Sequence, residues 1–510
     1  MVAIPLMSGA YSAQSLTANA QRSINLYPEK NPQETKPNMP VTHYPRPGLT
    51  QLGLPPNPGA GRCLYPANNG DLYAVIDQAV YYIDPNWTFT LLGSLLFDAT
   101  TPVSMADNGT SAIIVDGSGN GYEILFPTAT NPNRVFAEIA DPNFYGSPRA
   151  DFIDSFLVLS NPGTNEWYST ESDIIVPFNA LYIGVKTAWP DNILAVITVE
   201  REVYVLGPKK SEVWYNAGAV PFPFQILPGN IIEQGCAATY SPAKMDTNVY
   251  WLSQTPEGDR MVMRANAQNV AQRISTNAIE AEWRKYARID DAIGSVYQIS
   301  GHSFYRLHFP TADKTWVYDE AMGDPNAAWH EDSWVDQNGL LHRARDTFNA
   351  FAYGKNLGLD WNSGTLYQVD PQNATDNAQP IVCIRAFPHS VNELKRLNYT
   401  AFTADVATGT SVGTGEKTQF QSPWSGGFSS GFGPITQVQA PQINMRMSRD
   451  GGYNFGNNRI LETVSSGHYR TLSRWRGLGM ARDAVFEVSF TAAAISALNG
   501  AYVDVIEGTA

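Results

Sequence analysis

Asp71-Leu-Tyr-Ala-Val-Ile-Asp-Gln-Ala-Val-Tyr-Tyr-Ile-Asp84 is the stretch that decides the fold class. Two alternating apolar runs flank a short polar break, the pattern of paired antiparallel strands. With Tyr82 as the first anchor, looser copies surround Tyr122, Tyr168, Tyr204, Met263, Tyr305 and Tyr367. The steps between anchors are 40, 46, 36, 59, 42 and 62 residues. An all-β unit repeating every 40–50 residues, roughly, is the sequence form of a β-propeller blade. Seven hairpins predict six or seven blades, since one hairpin can belong to a split blade that closes the ring.

The individual hairpins are legible. Ala112-Ile-Ile-Val115 is expected to pair with Gly121-Tyr-Glu-Ile-Leu125 across a loop whose residues tolerate positive φ. Phe156–Leu159 faces Glu166–Tyr168, and Ile193–Val199 faces Val203–Leu206 with Glu212–Tyr215 as a third strand. Val249–Leu252 pairs with Met261–Met263, and Val296–Ile299 with Phe304–Leu307. One helix interrupts the series: Asn277 and Glu280 have capping-box spacing, and Ile279, Trp283 and Tyr286 recur on one face to about Arg288.

Outside the repeat the style changes. Residues 1–60 carry ten prolines, nine of them, at 28, 32, 37, 40, 45, 47, 55, 56 and 58, from residue 28 onward. This rules out helix and predicts an extended arm whose Ile24, Leu26, Tyr27 and Leu49 anchor it around a neighbour. The propeller is expected over 61–377. A further all-β domain follows over 378–510, with a long Gly/Ser-rich loop at about 407–434.

Composition sets limits on function. Charged residues make up 16%, below the ~25% of ordinary soluble domains, as expected of a surface covered by partners. The net charge of −14 argues against gripping phosphate backbones, yet suits a wall that DNA slides past. Cys63, Cys236 and Cys383 lie far apart, without a disulfide framework or zinc spacing. The opening Met1-Val-Ala-Ile-Pro-Leu-Met-Ser8 lacks a basic region and long apolar core, so no signal peptide is expected, and no run reaches the ~18–20 apolar residues of a membrane span. Assembly in a reducing cytoplasm follows as an expectation.

No residue stands out as catalytic, cofactor-binding or metal-ligating. The histidines (His43, His302, His308, His330, His342, His389 and His468) form no metal motif, and no nucleotide loop or hydrolase elbow is present. Asp77, Asp116 and Asp259 read as turn residues. Ser448-Arg-Asp-Gly-Gly-Tyr-Asn-Phe455 resembles the Asp-box of sialidase-type propellers, a hairpin-folding element without catalytic role. The four Asn-X-Thr sequons carry no weight without a secretory signal.

Several motifs, in order, resemble one family. Ser23-Ile-Asn-Leu-Tyr-Pro-Glu29 followed by Arg46-Pro-Gly-Leu49 resembles the opening of the tail hub, or nozzle, proteins of short-tailed bacteriophages, also called packaged-DNA stabilisation proteins. Arg273–Glu280 is similar to that family's mid-chain helix, and Gly364–Asp370 to its last-blade hairpin. Trp475–Asp483 and Asn499–Asp504 resemble its closing strands. The resemblance implies a structural virion protein without enzymatic activity or cofactor, assembled in the host cytoplasm into a ring, a hexamer, of the phage tail. It implies docking below the portal's adaptor ring, retention of packaged DNA and a conduit for its ejection without sequence-specific binding. Further partners are a tail needle or plug and tail fibres or spikes. The alternative is a propeller-type glycoside hydrolase or lyase, or a glycan-binding protein, acting on host surface polysaccharide.

Overall fold

In the computed structural model, the described residues are 4–5, 13–31, 41–97, 100–393, 395–408, 442–462, 470–493 and 495–507. The opening Met1–Ser8 segment apart from Ile4–Pro5, His468, and the Gly/Ser-rich loop beyond residue 408 lie outside them. The chain divides into two compact units, one of residues 10–14 and 49–371, the other of residues 1–9, 15–48 and 372–510.

The first unit is a seven-bladed β-propeller. Its innermost strands are Gly61–Pro66, Ser104–Asp107, Ala150–Ile153, Ala195–Val199, Ala243–Met245, Ile293–Ile299 and Asp346–Ala352. Each touches the next in turn, and the last returns to the first, closing the circle. Three further antiparallel strands extend each blade outward. The seven sequence anchors fall one to a blade. Tyr82, Tyr122, Tyr168, Met263 and Tyr367 lie on third strands, whereas Tyr204 and Tyr305 lie on second strands. This difference explains the uneven steps: an anchor one strand early shortens the step before it and lengthens the one after.

The predicted pairings hold in register, with Val115 opposite Gly121, Val203 opposite Trp214, Trp251 opposite Met263 and Val296 opposite Tyr305. Apolar alternation on both faces of each blade builds a core between every pair of neighbours. Tyr73 and Val75 of blade 1 pack with Ala112 and Ile114 of blade 2, and Ile76 and Tyr81 of blade 1 with Leu357 and Leu359 of blade 7. Each large side chain buried this way is worth about 1.5–3 kcal/mol, so the stability is spread around the ring.

Blade 7 is the split blade. Its inner three strands are Asp346–Ala352, Lys355–Asp360 and Leu366–Asp370, and its outermost is Gly48–Gly53. Leu49 is 1% exposed against Tyr367 and Val369. Three of the four apolar anchors of the proline-rich segment are thus buried within this chain, since Ile24 and Leu26 are fully buried as well. Prolines are accommodated because the segment supplies short strands separated by turns.

The helix differs from its prediction. It spans Asn277–Trp283, and Thr276, not Asn277, is its N-cap, accepting from the Ile279 amide. It stops at Trp283 because Arg260 donates to the Trp283 and Tyr286 carbonyls, satisfying groups that a longer helix would use. Ile279 and Trp283 are buried with Tyr250 of blade 5 and Tyr305 of blade 6, so the helix fills the wedge between those blades.

The second unit is a β-sandwich. One sheet runs Leu26–Lys30, Val41–Pro45, Ala497–Glu507, Leu397–Ala407, Arg470–Ala481; in the other, Arg22–Ile24, Val382–Ala386, Asp483–Thr491, Gln442–Ser448 and Arg459–Glu462 follow one another. Leu26, Tyr399, Phe402, Trp475 and Phe486 form its core. The division of the chain thus runs differently from the sequence boundaries at 60 and 377, since residues 22–45 contribute three strands here. The two halves of the N-terminal motif also meet. Asn25 turns the chain with φ 56°, its carbonyl accepts from the Arg46 amide, and its side-chain oxygen accepts from Arg46 Nε at 2.8 Å. Arg46 then grips Asp376, with Nη1 to Oδ1 at 3.0 Å.

Candidate functional site

The axis of the propeller is where blades converge, and polar side chains cross it. Arg149, just before the inner strand of blade 3, donates to the Pro242 carbonyl at 2.8 Å, just before the inner strand of blade 5. Tyr240 lies beside Gly117 of blade 2, and its carbonyl accepts from Gly294 of blade 6. Arg62 of blade 1 is fully buried and donates to the carbonyls of Thr101 and Asp77 at 2.7 and 2.8 Å. Burial pushes both Arg62 and Arg149 below the usual guanidinium range, partly offset by Asp116 and Asp151 respectively.

A second crossing lies further along the strands. Lys244 of blade 5 bonds Asp151 of blade 3 at 2.8 Å, and Asp151 also accepts from the Thr198 amide of blade 4. Burial raises the Asp151 carboxyl, but Lys244 and these amides outweigh it and hold the group below its ordinary range. Beyond Lys244 the axis opens into a pocket of about 530 Å³. Asp246, Tyr297, Gln298, Phe351 and Asn356 line it, with Gln298 donating to Asp246 at 3.0 Å and Phe351 65% exposed. Bonds between blades 3 and 5 thus bridge the centre of the ring at two levels.

Between blades 6 and 7 lies a buried charge cluster. Arg306 holds Asp346 through Nη1–Oδ2 at 2.7 Å and Nη2–Oδ1 at 3.1 Å, and its Nε lies 3.6 Å from Asp332. Burial opposes the charge, and the two carboxylates more than restore it, leaving Arg306 above its ordinary value. His308 sits beside this cluster between Ser295 and Thr315; burial, with Arg306 and Arg343 nearby, drives it well below the usual imidazole range. His302 meets Asp319 at 2.7 Å, so both histidines flanking that strand are structural. Among the described residues no group of His, Cys, Asp or Glu is arranged to hold a metal ion.

The Asp-box is a hairpin element, as its sequence implies. Ser448 Oγ donates to Asp450 at 2.7 Å and accepts from the Gly452 amide at 2.9 Å, while Asp450 accepts from the Asn454 amide. These bonds depress the Asp450 carboxyl to about 2. Asp116 likewise serves its own turn, accepting from the Ser118 amide and hydroxyl. Sequence reasoning did not find the axial arginines or Arg306. Their only signal is a guanidinium inside an otherwise apolar strand, as in Gly61-Arg-Cys-Leu64.

No helix among the described residues is long and apolar enough to cross a membrane. A family model described as "Bacteriophage P22 Gp10, beta-propeller" matches residues 2–374. No curated protein matches the chain. Among solved structures, BamB from Moraxella catarrhalis is similar at 11% identity and a TM-score of 0.36, covering 63% of this chain and 99% of that one. The β-propeller domain of Cps50 (Swd1) from Myceliophteria thermophila is similar at 8% identity and a TM-score of 0.39, covering 63% and 98%.

Proposed function

Because the chain belongs to the bacteriophage P22 Gp10 family of β-propeller proteins that stabilise packaged DNA, we propose that it is a hub or nozzle of a short phage tail. Six copies form a ring below the portal's adaptor, retain the packaged genome and later line its exit path. The family match over residues 2–374 carries this reading. The crossed propeller axis supports placing the conduit in the lumen of the ring rather than inside a subunit. The net charge of −14 supports a wall along which DNA can slide. In this role the protein needs no catalytic residue and no cofactor, and it assembles in the host cytoplasm before entering the virion. A needle or plug and fibres or spikes are further partners.

Mass photometry of the purified chain, alone and with the phage's portal–adaptor complex, tests this. A sixfold complement on the adaptor is the expected result; a monomer that ignores the adaptor overturns it. The second reading, a propeller that binds or cleaves surface glycan, draws on the axial pocket, where Phe351 and Tyr297 lie beside Gln298, Asp246 and Asn356. Aromatic faces with adjacent amides and a carboxylate suit a sugar ring. Polysaccharide turnover or binding that is lost in Phe351→Ala would favour it.

A further inference from the structure

The net charge hides an unequal division. The propeller unit carries 19 Lys and Arg against 36 Asp and Glu, whereas the sandwich unit carries 15 against 12, a balance of −17 beside +3. On the sandwich, two of the basic side chains share a pocket. A pocket of about 340 Å³ is lined, among the described residues, by Arg449, Arg459, Asn457, Met447, Gly456 and Leu478, two guanidinium groups and no carboxylate.

Both arginines are positioned by backbone. Arg449 Nη2 donates to the Leu478 carbonyl at 2.7 Å. Gly479, with φ 84°, makes room for it: a Cβ there would lie 3.0 Å from that same nitrogen. Arg459 Nη1 donates to the carbonyls of Arg476 and Gly477 at 3.2 and 3.3 Å, and its own carbonyl accepts from the buried Trp475 indole at 2.8 Å. Their neighbours are neutralised, Arg446 by Glu487 and Arg474 by Asp504. Arg449 and Arg459 meet no carboxylate among the described residues, and exposed Arg476 adjoins them. A guanidinium has five donors in a planar fork, so each retains N–H groups for an anion with paired oxygens.

We propose that the Arg449–Arg459 pocket binds two neighbouring backbone phosphodiesters of duplex DNA, one at each guanidinium. The inference rests on the DNA-stabilising reading above and assigns the contact to the sandwich. DNA is chosen over a lone ion because Arg476 extends the cationic surface beyond the pocket, as a chain of phosphates requires. The acidic propeller repels the duplex and leaves the sandwich as the approachable surface.

The test uses the full chain and a fluorescently labelled duplex, with anisotropy measured from 50 to 200 mM NaCl. Each phosphate contact contributes about 0.9 to the slope of log affinity against log salt. R449A/R459A is therefore expected to lower that slope by about 1.8 and to weaken binding at the low-salt end by about tenfold or more. The single variants R449Q and R459Q, each expected to lower the slope by about 0.9, decide the matter if the double variant melts early. An unchanged slope in folded variants overturns the proposal. So does displacement of the duplex by polyglutamate of matched charge, which marks a general anion patch, or by millimolar inorganic phosphate, which assigns the pocket to the free ion. If the wild-type chain ignores DNA yet assembles on the portal–adaptor complex, the site is overturned while the tail reading stands.

Discussion

Replacing Arg306 by methionine probes how the propeller holds blades 6 and 7 together. Methionine keeps most of the buried length while removing the charge. Asp346 and Asp332, whose side chains are 5% and 2% exposed, then lose their shared cation. The bonds removed are two to the Asp346 carboxylate, one to its carbonyl at 3.0 Å and one to Asn349 Oδ1 at 3.4 Å, besides the contact with Asp332. Leaving a buried charge without its partner costs about 3–5 kcal/mol. At about 2 °C per kcal/mol for a domain of this size, the propeller should melt roughly 6–10 °C lower. Differential scanning calorimetry with urea titration measures it. The pair itself is worth less than this cost, because both ions pay desolvation in the wild type. Arg306→Met combined with Asp346→Leu and Asp332→Leu should therefore recover a large part of the loss. A single variant within about 1 kcal/mol of wild type, the range of an exposed pair, would refute the reasoning and show that water reaches the cluster.

Leu49→Ala removes the apolar anchor of the closing strand and should cost about 2–5 kcal/mol, read as a lower urea midpoint and faster proteolysis between residues 49 and 60. In Gly61→Ala the new methyl would press into the Asp360 carbonyl and lie 3.0 Å from Leu359 Cγ, where blade 1 meets blade 7; a loss of about 1–3 kcal/mol is expected, and an unchanged melt would mean the ring opens freely there. Asp450 has a depressed carboxyl, so its stabilisation is present above the unfolded value near 4 and lost as pH falls through about 2. Asp450→Ala should accordingly lower the sandwich's melting temperature at pH 7, with the difference from wild type vanishing toward pH 2. The three cysteines are buried, and burial raises Cys236 to about 11 and Cys63 to about 12. A thiol reagent at pH 7.5 should label none of them until guanidinium is added; rapid labelling of the native chain would contradict the burial.

The propeller was legible because its information is local. Alternating runs such as Leu72–Ile76 and Ala79–Ile83 pair across two residues, so short-range pattern suffices to find a blade. The sequence alone does not fix the blade count, because the strand that completes blade 7, Gly48–Gly53, is far from its partner Leu366–Asp370 and carries little alternation. The same distance hid the sandwich's share of the N-terminus: Arg22–Ile24 pairs with Val382–Ala386, and nothing near either segment announces the other. The axial crossings were illegible for a different reason. Arg149 and Pro242 meet only because a closed ring brings blades 3 and 5 face to face. Arg449 and Arg459 lie ten residues apart with the Asp-box turn between them, and the whole-chain charge of −14 pointed away from any phosphate site. Only the fold separates the two charge balances.

The strand Gly48–Gly53 leaves the ribosome before any of the blade it completes. About 300 residues must follow, which at about 5–20 residues per second takes roughly 15–60 s. Through that interval the apolar Leu49 has no partner, and blade 7 has no edge to offer. A prematurely terminated copy never receives one, and unpaired strand edges drive aggregation. The placement of one short strand at the front of the chain thus makes the closing of the ring a report that synthesis has finished.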